Sequence, residues 1–264
     1  DPEQLAYAAK LAQQHGYCEV NLNVGCPSDR VKSGRFGACM MKNPQLVAEC
    51  VAAMKQVVDI PVTVKTRIGV DDQDSYSYLY DFIKQLQHVG VDAVIMHARK
   101  AWLNGLNPKQ NRVIPPLKYQ VVYQLKKDFP RMPIIVNGGI KTIEDVQSHL
   151  NHVDGVMIGR YAQQDMMAMA GINHAVHTES VKLDIYTILA QYAEYMSQQN
   201  QQGVPWRTMT RHLIGMFHGC SGARRWRRLI SETGNQIDEI KKFLACALHE
   251  LDHDHSNSCC DIND

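Results

Sequence analysis

Pro61-Val62-Thr63-Val64-Lys65-Thr66-Arg67 is the stretch that decides the fold. Its valines and threonines predict a buried strand over residues 61–67. Lys65 and Arg67 alternate with Val64 and Thr66 at the C-terminal end of that strand. Barrels of the (β/α)8 type place ligand-binding side chains there. A lysine within a buried strand is costly unless it meets an anion or a polar ligand, although its stem can also snorkel to the rim.

Four more strand patterns lie around it, over residues 17–24, 91–97, 133–137 and 154–159. Helical patterns follow the five strands in turn, over 44–57, 75–88, 119–127, 142–150 and 163–174. A helix begins the chain, with Asp1 as N-cap, Pro2 at the first helical position and Gly16 as the stop. Strands alternating with helices indicate parallel βα units. An open doubly wound sheet and a barrel both satisfy this order. The barrel is favoured by Lys65 and Arg67 and by the glycines in the last two βα turns, Asn137-Gly138-Gly139 and Gly159-Arg160. No Gly-x-Gly-x-x-Gly fingerprint follows the first strand.

After about residue 180 the strand signals stop. Helical patterns over 181–197, 207–217, 223–231 and 236–251 predict a small helical bundle. The expected organisation is a partial barrel over 1–178, a helical domain over 179–252 and a disordered tail over 253–264.

Composition excludes several classes. Of 264 residues, 45% are hydrophobic and 21% charged, which fits a packed globular chain and not a disordered one. The apolar runs are short and interrupted, so no membrane span is expected. The net charge of +1 names no partner. Eight cysteines, no signal-like N-terminus and no Cys-x-x-Cys pair read as reduced thiols, which places the chain in the cytoplasm.

Cys26 lies just past the first strand, in a loop with Arg30, Lys32 and Arg35. Cations favour a thiolate and make a loop cysteine a candidate nucleophile or acid, although an isolated one is more often an inert small residue. His97 ends the third strand and can donate to a carbonyl or phosphate. The long loop 101–117 has the length of a lid or binding loop. Between Arg99 and Lys127 there are seven Lys or Arg and no acid, a pattern that a solvated face also produces. The turns at Gly138-Gly139 and Gly159-Arg160 suit an anion held by backbone N–H groups, with Arg160 adding a bidentate contact. In the helical part, Arg207, Arg211, Arg224, Arg225, Arg227 and Arg228 interleave with Trp206, Trp226, His212 and His218. Such a surface suits an RNA backbone and unstacked bases. The tail cluster Cys246, His249, His253, His255, Cys259 and Cys260 fits no standard zinc spacing, so no metal is expected.

Taken together, these motifs resemble the tRNA-dihydrouridine synthases. The resemblance is carried by Asn21-Leu22-Asn23-Val24-Gly25-Cys26-Pro27-Ser28-Asp29-Arg30-Val31, Lys65-Thr66-Arg67-Ile68-Gly69-Val70-Asp71-Asp72, His97-Ala98-Arg99-Lys100-Ala101-Trp102-Leu103, Asn137-Gly138-Gly139-Ile140 and Gly155-Val156-Met157-Ile158-Gly159-Arg160. It runs from residue 1 to about 250. It implies a flavin-binding TIM barrel followed by a helical RNA-binding domain. It further implies FMN-dependent reduction of the C5–C6 double bond of uridines in the tRNA D-loop, with NADPH as reductant. In the subfamily matched, the uridines are those at tRNA positions 20 and 20a. By motif match Cys26 is the proton donor, and Lys65 and His97 contact the flavin. Asn137, Gly138, Gly139, Gly159 and Arg160 hold its phosphate, and Asn23, Lys109, Arg112, Arg225 and Arg228 contact tRNA. No membrane and no obligate protein partner are implied.

The family barrel has eight strands, and the first element here matches the helix after its third. The chain is therefore expected to be a truncated form that lacks three strands, with activity expected of the parent enzyme. Two other classes share features with it. One is a flavin barrel acting on a free pyrimidine, like the dihydroorotate dehydrogenases. The other is a non-catalytic tRNA-binding fragment.

Overall fold

Four of the five helices of the first part of the chain start where a side chain can satisfy their free N–H groups. In α1 (Pro2–Gln14) the Asp1 carboxylate accepts from the Gln4 N–H at 3.0 Å. Asn43 caps α2 (Pro44–Lys55), Ser75 caps α3 (Tyr76–His88), and Thr142 with Asp145 forms a capping box at α5 (Ile143–Leu150). The remaining helix of this part, α4 (Tyr119–Asp128), has no side-chain cap. The architecture is that of a computed structural model describing residues 1–28, 34, 36–176, 185–217 and 223–232. The predicted helix over 236–251, the tail over 253–264 and its Cys/His cluster lie outside the described residues.

Five strands alternate with these helices: β1 (Val20–Asn23), β2 (Val62–Arg67), β3 (Ala93–His97), β4 (Ile134–Asn137) and β5 (Gly155–Met157). They form one parallel sheet in the order β1-β2-β3-β4-β5, so every strand pairs with the one before it. The α/β class and the parallel pairing expected from the sequence are both present. A doubly wound sheet reverses its strand order at a switch point; this sheet does not.

Register divides the side chains into two faces. Asn23 aligns with Lys65, Lys65 with Ile95, Ile95 with Ile135, and Ile135 with Gly155. Side chains alternate along a strand, so aligned residues of parallel strands share a face. One face carries Leu22, Val62, Val64, Thr66, Val94, Met96, Ile134 and Val136, all buried. Sequential right-handed crossovers put their helices on one face of a sheet. Leu79, Phe82, Ile83, Leu86 and Leu125 on those helices are fully buried. The other face carries Asn21, Asn23, Thr63, Lys65, Arg67, His97 and Asn137 above a floor that includes Ile95 and Ile135.

The chain divides into two compact units, Asp1–Ile158 and Gly159–Asp264. The sequence reading kept residues through 178 with the strands. The structure groups the helices after β5 with the helical part. The second unit holds α6 (Arg160–Gln164), α7 (Met166–Val176), α8 (Ile185–Gln201), α9 (Trp206–Thr210) and α10 (Ala223–Glu232). Met166 of α7 packs on the core formed by Leu189, Met196, Trp206, Leu213, Trp226 and Ile230, which accounts for the grouping. Trp226 anchors that core by donating from Nε1 to the Leu213 carbonyl at 2.6 Å.

Two predicted helices change form. The pattern over 163–174 breaks at Asp165, whose carboxylate accepts from the Ala168 N–H at 2.9 Å and starts a second helix. The pattern over 207–217 is helical only to Thr210, and turns continue to Phe217. Among the described residues no helix is long and apolar enough to cross a membrane.

Candidate active site

The chain leaves β1 through a turn held by Asn23. Its Oδ1 accepts from the N–H groups of Gly25 and Cys26, at 3.1 and 3.2 Å. Cys26 is thereby set just above the sheet edge, partly exposed, with Sγ 3.5 Å from the Ser28 hydroxyl. Its carbonyl accepts from Ala38 at 2.8 Å. The predicted cationic neighbours Arg30, Lys32 and Arg35 lie outside the described residues.

Lys65 donates from Nζ to Asn137 Oδ1 at 3.0 Å, and Asn137 Nδ2 donates to the Met157 carbonyl at 2.8 Å. These two bonds tie the ends of β2, β4 and β5 together. Burial, and next the charge of Arg67, push the Lys65 ammonium down to about 8. His97 accepts the Arg99 N–H at Nδ1, 3.3 Å away, which leaves the ring proton on Nε2 and makes that atom a donor.

The turn after β4 needs its glycines. Gly138 has φ +115° and Gly139 φ +79°, a region other residues enter only with strain. A Cβ on Gly138 would sit 3.1 Å from the His97 ring, and one on Gly139 would sit 2.7 Å from Leu117. The Tyr119 hydroxyl donates to the Gly138 carbonyl at 2.6 Å, fixing the turn from α4. The capped start of α5 follows directly, so N–H groups and a helix N-terminus gather at this corner.

The loop after β3 is built around Asn111, which is fully buried. Its amide donates to the carbonyls of Trp102 and Leu106, at 2.9 and 3.0 Å, and accepts from the Trp102 N–H at 2.8 Å. Asp71, at φ +47°, accepts from the Leu103 N–H at 2.8 Å and pairs with Lys42 at 2.7 Å. Lys109 and Arg112 flank Asn111 along the chain, and Lys109 is exposed. Arg112 has a buried Nε with no partner.

Arg67 is 4% exposed. It donates from Nε to the Gly25 carbonyl at 2.9 Å, and from Nη1 to the carbonyls of Lys100 and Asn111 at 3.1 and 2.9 Å. Burial pulls its guanidinium down to about 10, and the neighbouring Cys26 opposes that fall.

The structure thus gathers Asn23, Cys26, Lys65, His97, Asn137, Gly138 and Gly139 at the C-terminal edge of the sheet, with Lys109 and Arg112 on a loop anchored to that edge. Gly159 and Arg160 are exposed at the start of the second unit, and Arg225 and Arg228 are exposed on α10 of that unit. Sequence reasoning saw Arg67 only as a strand-end cation and did not single out Asn111. The alternation in β2 could have flagged the first. No local signal marks the second.

A parallel βα sheet with cations, amides, a histidine and a thiol collected at its C-terminal strand ends has the layout of an α/β enzyme. The family model described as Dihydrouridine synthase (Dus) matches residues 1–252, and the chain belongs to that family of enzymes. It is 52% identical over 258 residues to the tRNA-dihydrouridine(20/20a) synthase of Vibrio vulnificus (strain CMCP6), covering 96% of this chain and 79% of that protein. It is also 52% identical over 250 residues to the protein of that name from Escherichia coli (strain K12), covering 94% and 72%. Among solved structures, morphinone reductase in complex with tetrahydroNAD superposes with a TM-score of 0.46 at 16% identity, over 70% of this chain and 50% of that one.

Proposed function

We propose that the protein reduces the C5–C6 double bond of uridines 20 and 20a in the tRNA D-loop, using FMN with NADPH as reductant, in the cytoplasm. The observation that carries the reading is that Cys26, Lys65, His97 and the Gly138-Gly139 turn lie along one sheet edge, in a chain of this family. The donor set fits a flavin mononucleotide. Lys65 and His97 offer N–H donors to electron-rich ring atoms, and the glycine turn with the start of α5 suits a phosphate. Asn137, Gly138 and Gly139 would hold that phosphate; Gly159 and Arg160, which begin the second unit, are candidates for it by motif match alone. When bound, FMN supplies the hydride that the reaction delivers to uracil C6.

The residues of the chain do the rest. Cys26 holds a proton on Sγ and gives it to C5, while Asn23 fixes the backbone that aims the thiol. A base inside a stack cannot reach this edge, so the target uridine must be flipped out. Asn23, Lys109, Arg112, Arg225 and Arg228 would grip the surrounding RNA, which makes binding steeply salt-dependent. The unreversed strand order supports a (β/α)8 barrel, with β1–β5 as its strands four to eight. The helical unit, with exposed Arg224, Arg225, Arg227 and Arg228 around a buried Trp226, would be the tRNA-binding domain.

The test is mass analysis of tRNA lacking dihydrouridine after incubation with the protein, FMN and NADPH. D-loop fragments are expected to gain the mass of two hydrogens at positions 20 and 20a. Reduction of free uracil with untouched tRNA would overturn the proposal.

A further inference from the structure

Arg67 has no role in the reading above, yet it is the most buried cation on the polar face. Its three hydrogen bonds all go to backbone carbonyls, and those carbonyls come from separate segments. Gly25 immediately precedes Cys26. Lys100 follows the end of β3. Asn111 sits between Lys109 and Arg112 in the loop after β3. A guanidinium presents its N–H groups in a rigid planar fork, so it fixes direction as well as distance.

Other contacts brace each loop from within, and Asp71 links the loop after β3 to Lys42 beyond the Cys26 turn, but not to that turn itself. Asn23 organises Gly25 and Cys26 but, among the described residues, does not bond to the loop after β3. Asn111 organises that loop from within, and among the described residues its side chain does not bond to the Cys26 segment. Among the described residues, Arg67 is the side chain that bonds to both. It also sits where burial and the nearby Arg112 and Arg99 disfavour its charge, which is a cost the fold bears at this position.

We propose that Arg67 is a positioning residue that clasps the Cys26 turn to the loop carrying Lys109 and Arg112, so that the proton donor and the RNA-facing loop are held in one fixed relation. The functional half of this inference rests on Cys26 being the proton donor. The mechanical half does not. With the clasp in place, a uridine seated against the loop meets the thiol in a set geometry. A misplacement of about 1 Å at such a site can cost on the order of 100-fold in rate.

Hydrogen–deuterium exchange on the full chain tests the clasp without requiring activity. Arg67→Gln and Arg67→Lys are compared with the unsubstituted protein. Peptides spanning residues 24–28 and 99–114 are both expected to exchange about tenfold faster or more in the two variants, while peptides of α2 and α3 keep their rates. Lysine keeps the charge but cannot reach three carbonyls, so it should not restore protection. Wild-type exchange of either segment in Arg67→Gln overturns the proposal, as does full protection of both in Arg67→Lys. Acceleration spread evenly over the chain, α2 and α3 included, also overturns it, because it marks a general loss of stability. Should Arg67→Gln fail to fold, Arg67→Lys decides by the same criteria. With tRNA as substrate, kcat of Arg67→Lys should fall more than its KM rises. If the unsubstituted protein leaves tRNA unreduced, the functional reading fails on its own, and the exchange result still decides the clasp.

Discussion

The two faces of β2 are made from the same six residues and the same ladder, yet they do opposite things. Val62, Val64 and Thr66 are buried with Val94, Met96, Ile134 and Val136 on the face the helices cover. Thr63, Lys65 and Arg67 lie on the face that gathers Asn23, His97 and Asn137. On the first face, burial of carbon contributes about 25 cal/mol per Å² and sets stability. On the second, desolvation holds a lysine and an arginine below their ordinary pKa values. The sheet therefore spends on one side some of the stability it gains on the other, as sites that must bind charged or polar ligands commonly do.

The comparison breaks most sharply at Cys26. Cys26→Ala removes a thiol that no core residue depends on, so turnover on tRNA should fall roughly 10²–10⁴-fold. The unfolding free energy should stay within about 0.5 kcal/mol and tRNA affinity should be unchanged. Single-turnover kinetics beside a denaturant titration check both halves. Retained turnover would remove Cys26 from the chemistry.

Ile134→Ala attacks the opposite face. It empties a fully buried site under the helices and should cost about 2–5 kcal/mol. The rate per folded molecule should change little. A large rate loss at full folding would mean that the faces are not separable.

The smallest effect belongs to Lys65 and is read through pH. Its folded value of about 8 lies below the unfolded value of about 10.4. Below about pH 8 the ammonium is charged in both states, and the fold carries the whole desolvation cost. Between about 8 and 10.4 the folded state loses its proton first, so stability attributable to Lys65 rises with pH. Lys65→Met should abolish that rise; near pH 7 the desolvation cost it relieves is offset by the lost bond to the buried Asn137 Oδ1. Urea midpoints at pH 7 and pH 10 measure it. An equal gap between the two proteins at both values would show that Lys65 is well solvated.

Much of this was legible in the sequence. Short β-rich runs set between helical patterns marked all five strands, with their starts one to three residues early at the lead-in segments. The C-terminal ends of β2, β3 and β4 were read to the residue, because Arg67, His97 and Asn137 are polar stops to apolar runs. The glycine turn was legible because positive φ demands glycine. The partners of Arg67 were not legible, since its bonds span 33 to 44 residues and end on carbonyls that no residue type announces. Asn111 escaped for the same reason: an asparagine in a polar loop reads as solvated until the loop closes around it. The break at Asp165 hid just ahead of an apolar run whose methionines continue the helical period past the cap.

The unreversed order of the sheet has a consequence for how the protein is made. Among the described residues, each strand from β2 onward pairs with the strand synthesised just before it, so no pairing within this sheet waits for a distant part of the chain. Parallel sheets are slow to fold when their pairings are far apart in sequence. Between the five strands of this sheet the longest wait is the span of one βα unit. Growth from a ribosome, at a pace of about 5–20 residues per second, can then lay each new strand against a template that is already standing.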